Sequence, residues 1–327
     1  MPKPGETCKT GAPGGAPGTM SGSSAAPGAP PGRPRVVSFL PAGTEMLYAV
    51  GAGDLLVGRS HECDYPAPVT RLPVVSRPAL ALDGLTPEQV DRAVAERLKS
   101  GASLYEVDEV LLRELAPGLV LTQDLCQVCA PSGNELTRAL RELPTRPAVL
   151  WLSPQTIAEI HANLLAVGDA VGRGDAARAL VAAGQERMAR VAHALLGVPQ
   201  RRVAFLEWIE PYFAAGHWVP EMIALAGGQD PLGRHGADSE RVTWDQIVAG
   251  APEVIVVAPC GYGLEGAAEL ARGLPEVANA EIYAVDANAY FARPGPRVAE
   301  GVELLAQLFH PERCPWPHAS RPWAKLR

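Results

Sequence analysis

Apolar positions in this chain fall in short blocks whose spacing alternates along the sequence. "RVVSFL" is a compact apolar run, and the "PAG" that follows turns it into a helix starting near Thr44. "DLLVGRS" and "LPVVS" repeat the strand pattern. In "TPEQVDRAVAERLKSG" and "LYEVDEVLLRELA" the apolar residues recur at three and four, which predicts two helices. "GLVLTQ" reads as a strand, "GNELTRALREL" as a helix and "AVLWL" as a strand. Strands alternating with helices imply a largely parallel sheet with crossover helices.

The middle of the chain breaks this rhythm. From Pro154 to Gly197 the pattern is helical almost throughout, with Ile157, Ile160, Leu164, Val167 and Val171 on one face. Gly172-Arg173-Gly174 interrupts it, and Asp175 is placed to cap a second helix through Leu180, Gly184, Met188, Val191 and Leu195. Alternation then resumes with the strands "RVAFLEW", "EVIVVAP" and "EIYAVD". The helices "WVPEMIALAGG", "WDQIVAG", "GLEGAAELARGL" and "PGPRVAEGVELLAQLF" accompany them. The expected architecture is α/β: two Rossmann-like lobes joined by a long helical spine, with a ligand cleft between the lobes at the strand carboxyl ends. The segments are 1–34, a Gly/Pro/Ala-rich stretch expected to be disordered; 35–153, the first lobe; 154–198, the helical linker; 199–311, the second lobe; and 312–327, a Pro-rich tail.

Composition narrows the function. The chain has 327 residues, 47 % of them hydrophobic, enough for a sizeable core. With 29 Lys and Arg against 36 Asp and Glu, and no basic stripe, no nucleic-acid partner is expected. The first residues hold no apolar h-region, and nowhere do about 18 apolar residues run together, so the sequence predicts a cytoplasmic protein without a membrane span. In that compartment its six cysteines are thiols or metal ligands, not a disulfide framework.

Several blocks, in order, carry a resemblance. "VVSFLPAGTEMLYAVGAGDLLVGRSHECDYP", "FAAGHWVPEMIALAGGQD", "RVTWDQI" and "YFARPGPRVAEGVELLAQLF" resemble the class III periplasmic binding proteins for cobalamin and iron siderophores. The match spans roughly residues 35 to 310 and implies two lobes with little hinge motion. "HECDYP", "TQDLCQVCAPS", "GHWVPEM" and "APCGYG" resemble a cytoplasmic, cobalamin-binding-like subgroup without a signal peptide. The family docks on a membrane permease through an acidic residue on each lobe. Glu106 or Asp108 could supply the first, but Ala249, Gly250 and Ala251 stand where the second is wanted, which argues against ABC permease docking. The resemblance implies a small-molecule ligand, cobalamin or another corrinoid or metal chelate, with Trp244 at the position where a tryptophan packs on the corrin face.

The residues themselves leave the chemistry open. Trp208, Tyr212, Phe213 and Trp218 cluster on second-lobe loops, with Tyr290 and Phe291 ahead of the last helix, and flat rings lining a cleft suit a flat tetrapyrrole. His217, on a loop beside them, fits a donor or metal ligand or a solvated hydrogen-bonding residue. Trp208 and Phe291 equally fit an ordinary core. Arg293 and Arg297 fit either an anion site at the cleft mouth or a salt bridge across the lobe interface. Cys63, Cys126, Cys129 and Cys260 follow strands, and His61 is close to Cys63. Soft thiolates with an optional imidazole suit zinc or an iron–sulfur cluster. Ser132 and Glu135 form a capping box just past the C-x-x-C, and the helix start would lower a nearby thiol pKa, which favours ligation and disulfide exchange alike. Three functions therefore stand: a corrinoid-type binding protein, an enzyme on a cysteine-held metal or cluster, and a C-x-x-C redox protein.

Overall fold

A computed structural model describes residues 33–327 except Asp83, Gly101 and 124–133. The first lobe is built on six strands: β1 (Val36–Ser38), β2 (Leu56–Ser60), β3 (Val74–Pro78), β4 (Tyr105–Val107), β5 (Leu119–Thr122) and β6 (Ala148–Trp151). Its helices are α1 (Pro41–Ala49), α2 (Pro87–Lys99), α3 (Glu109–Leu115) and α4 (Asn134–Arg141). The sheet order is β4-β3-β2-β1-β5-β6, parallel throughout except that β4 runs against β3. Val36 and Val37 are fully buried because a central parallel strand is covered on both faces.

The spine consists of α5 (Ile157–Ala170) and α6 (Gly174–Ala194). Thr156 caps α5 by accepting from the Glu159 N–H. A Cβ on Gly168 would lie 2.4 Å from that of Ala177, so the two helices approach closely where one side chain is missing.

The second lobe contains β7 (Arg201–Trp208), β8 (Tyr212–Ala214), β9 (Gly228–Gln229), β10 (Arg241–Val242), β11 (Val254–Val257), β12 (Glu281–Val285) and β13 (Trp323–Lys325). Its helices are α7 (Val219–Leu225), α8 (Trp244–Ala249), α9 (Leu264–Arg272), α10 (Ala287–Tyr290) and α11 (Val298–Phe309). The sheet runs β10-β8-β7-β11-β12-β13, with β9 beside β7. Its centre is parallel, while β8, β10 and β13 pair antiparallel.

One apolar cluster passes through all three parts. Val36, Leu40, Met46 and Leu121 of the first lobe join Ile160, Leu164 and Val167 of α5, which join Phe205, Met222 and Leu305 of the second. The spine is thus core to both lobes.

Three sequence expectations change. Residues 104–108 do not begin a helix: Tyr105–Val107 is strand β4, and α3 starts only after Asp108, whose side chain accepts from the Leu111 N–H. Asp175 lies inside the first turn of α6 and is not its cap, since Arg173 occupies that position. The Pro-rich tail, to which the sequence pattern assigns no element, ends in a strand, Trp323–Lys325, that pairs with β12. The capping box of Ser132 and Glu135 lies outside the described residues.

Candidate functional site

The carboxyl ends of the parallel strands of the two sheets face each other. β1 runs into α1, whose Glu45 meets Arg293 and Arg297 in the segment after β12. β2 runs into a loop whose Asp64 also binds Arg293, at 2.6 Å. Arg297 places its guanidinium 4.4 Å from the centroid of the Tyr65 ring. Glu45 and Arg293 are nearly inaccessible, with side chains 3 % and 9 % exposed. Two buried guanidiniums sharing one buried carboxylate hold the lobes in a fixed register. Of the two readings of Arg293 and Arg297, the structure shows the salt bridge across the lobe interface.

The second lobe presents aromatic rings on this side. Trp208 ends β7 and its ring lies 5.8 Å from that of Tyr262, edge to face. Tyr212 and Trp244 lie 5.3 Å apart, and Arg241 stands 5.4 Å from the Phe213 ring. Trp208, Phe213 and Trp244 are all partly exposed. The Trp208 indole N–H is enclosed yet has no acceptor among the described residues. Buried donors normally find one, so this group stands out as unsatisfied. Tyr262 was not singled out from sequence, although it sits inside the quoted "APCGYG".

Glu207 organises the loop beside these rings. Its carboxylate accepts from the Gly216 N–H at 2.9 Å and from the Ser239 hydroxyl. Burial pushes its carboxyl up to about 7, against the pull of those two donors. Only glycine fits at 216, because a Cβ there would lie 2.4 Å from the Ser239 nitrogen. The next residue, His217, takes a left-handed conformation (φ 55°), fixed by its N–H to the Ala237 carbonyl and its own carbonyl to the Gly236 N–H. Its Nε2 is 3.3 Å from Asp238, and burial lowers the imidazole pKa. A neutral imidazole is the form that ligates metals.

The other candidates are placed differently. Trp218, Tyr290 and Phe291 are core residues: Trp218 is 5 % and Phe291 3 % exposed, and Phe291 packs edge to face on Phe205 at 5.2 Å. They support the site from behind and present no face to a ligand. Cys63 was expected to face the cleft as a thiolate. It is instead fully buried, its sulfur accepting from the Thr44 hydroxyl at 3.1 Å, and burial pushes its thiol up to about 11. His61 turns its Nδ1 to the Ser76 carbonyl at 3.2 Å and its Nε2 toward Glu62. Cys260 is exposed after β11. Cys126 and Cys129 lie outside the described residues. Among the described residues, no three His, Cys, Asp or Glu side chains are grouped to hold a metal.

Comparison with known proteins bears on this arrangement. Residues 139–289 match the family model described as periplasmic binding protein. The vitamin B12-binding protein of Vibrio cholerae is 25 % identical over 280 residues, 83 % of this chain and 87 % of that one. The crystal structure of the periplasmic vitamin B12-binding protein BtuF of Vibrio cholerae superposes with a TM-score of 0.59 at 21 % identity, covering 84 % of this chain and 96 % of that one. A periplasmic heme-binding protein from Pseudomonas aeruginosa superposes with a TM-score of 0.66 at 18 % identity, over 89 % and 98 %. The chain has the fold of those periplasmic binding proteins. Its two sheets, helical spine and facing strand ends are the architecture of those structures, and the resemblance drawn from the sequence blocks holds. No helix among the described residues is long and apolar enough to cross a membrane.

Proposed function

We propose that the protein binds a flat, metal-centred tetrapyrrole between its lobes, a corrinoid such as cobalamin being the preferred ligand. The observation that carries the reading is the partly exposed aromatic group on the second lobe. Trp208 with Tyr262, and Tyr212 with Trp244, form two ring pairs at one sheet end, and the Trp208 N–H beside them lacks a partner among the described residues. Rings of this kind stack on a conjugated or flat macrocycle, each contact contributing about 1 kcal/mol beyond the area buried. His217, held in a constrained loop with its imidazole pKa lowered by burial, supports a contact to the metal or a polar substituent once its Asp238 pairing gives way. Relatives named for vitamin B12 and heme binding support the same ligand class.

The test is titration of the purified protein with cyanocobalamin and with hemin, following tryptophan fluorescence and the ligand absorption bands. Saturable quenching by either ligand is expected, with the corrinoid tighter. Trp244→Ala and Trp208→Ala should each weaken binding roughly tenfold. A wild-type protein that quenches with neither ligand at micromolar concentration refutes the proposal. Tight binding of hemin alone moves the ligand from corrinoid to porphyrin.

A further inference from the structure

The first lobe sends one segment out of its sheet. Residues 80–103 leave the cleft-side end of β3 and return at the start of β4, and the Ala79 N–H to Leu104 carbonyl bond closes the base of the excursion at 2.8 Å. The segment carries α2, a 13-residue helix opened by Pro87 and by a reciprocal cap between Thr86 and Gln89. Pro87 is its only buried residue. The apolar stripe Val90, Val94 and Leu98 stays half-covered, which is unusual for a helix that has a core beside it.

The helix is nevertheless oriented. Asp91 receives both bonds of a fork from Arg241 Nη2, at 2.9 and 2.8 Å, and Arg241 belongs to β10 of the second lobe. Positions three and seven after Asp91 are Val94 and Leu98, so helical geometry puts them on the face that Asp91 turns toward the second lobe. Arg241 also stands over Phe213, one strand from the Tyr212–Trp244 pair. The half-covered stripe of α2 and the Phe213 ring therefore sit on two sides of one ion pair.

We propose that α2 is a third wall of the ligand site, held shut by the Asp91–Arg241 pair, with Val94 and Leu98 contacting the bound ligand. The inference rests on the tetrapyrrole reading for the ligand's identity. The two bridges between the lobes divide the work. The Glu45 cluster is buried and holds the lobes together, whereas the Arg241 side chain is 58 % exposed and its pair is open to screening by salt. Ligand entry then proceeds by release of α2, without separation of the lobes.

The test combines hydrogen exchange with ligand dissociation in the full chain. In the ligand-free protein, Asp91→Asn and Arg241→Gln should each speed exchange of residues 87–99 several-fold, and the double variant should add nothing to either single one. Cyanocobalamin or hemin should slow exchange of the same residues in the wild type. Val94→Ser with Leu98→Ser should raise the dissociation rate about tenfold, the loss expected for two apolar contacts. Unchanged exchange in both single variants overturns the latch. A ligand that binds without protecting α2, and dissociates equally fast from the double serine variant, overturns the wall. If the wild type binds neither probe, the proposed function fails and takes the wall with it, while ligand-free exchange still decides the latch.

Discussion

Glu45 and Arg297 lie 252 residues apart and form a two-bonded ion pair, Nε to Oε2 at 2.8 Å and Nη2 to Oε1 at 2.6 Å. With Arg293 on the same carboxylate, this is the charged centre of the lobe interface. Glu45→Ala leaves two largely buried guanidiniums facing each other without their shared partner. Such a loss costs about 3–5 kcal/mol, to be measured by urea denaturation. Glu45→Gln should recover part of it, because an amide oxygen still accepts one bond. An alanine variant as stable as wild type would show that the interface does not depend on this charge.

Glu207 and Asp230 make stability fall as pH rises. Burial pushes their carboxyls up to about 7 and about 6, from ordinary values of 4.5 and 3.8. The folded state therefore holds more protons than the unfolded chain between about pH 4 and 7, and stability declines across that window. Glu207→Gln should remove its share, on the order of 2–3 kcal/mol, making the variant more stable than wild type at pH 8 relative to pH 5. Denaturation at the two pH values checks this, and parallel pH profiles for variant and wild type would contradict it.

The thiols should separate by reactivity. Cys260 is exposed, whereas Cys63 is sealed, hydrogen-bonded and raised to about 11. Alkylation of the native protein at pH 7.5 with peptide mapping should label Cys260 within minutes and Cys63 only after unfolding. Rapid native labelling of Cys63 would show that it reaches the cleft after all.

The chain's last residues seal a sheet edge. Trp323–Lys325 pairs with β12, Lys325 binds Glu281 at 3.0 Å, and Trp316 packs edge to face on both Trp323 and Tyr290. Deleting residues 322–327 exposes the β12 edge to other chains. The truncated protein should melt several degrees lower and associate with concentration, as read by thermal scanning and light scattering. An unchanged melting temperature would make the strand dispensable.

Strong local signals made the architecture legible. The continuous apolar runs of β1, β5 and β11 and the 3.6-residue spacing of α5 each specify their element without help from the rest of the chain. Residues 104–108 misled because Leu104, Val107 and Leu111 also share a helical spacing, and only pairing with β3 extends them. The site was half legible. Trp208 at the end of β7, Phe213 in β8 and Trp244 at the start of α8 stay partly exposed, but sequence could not separate them from Trp218 and Phe291, which are buried. Asp91 and Arg241 gave no local sign, since a charge on an amphipathic helix usually meets solvent; only the tertiary fold reveals its partner.

The apolar cluster that threads β1, α5, α7 and α11 also governs how the molecule comes apart. The spine packs on α1, α7 and α11, so withdrawing it bares the apolar sides of the helices that cover each sheet, and no half of the chain retains a finished interior. Heat or denaturant should therefore take the protein from native to unfolded in one cooperative step, and a gene cut between the lobes would yield two fragments that fold only in each other's presence.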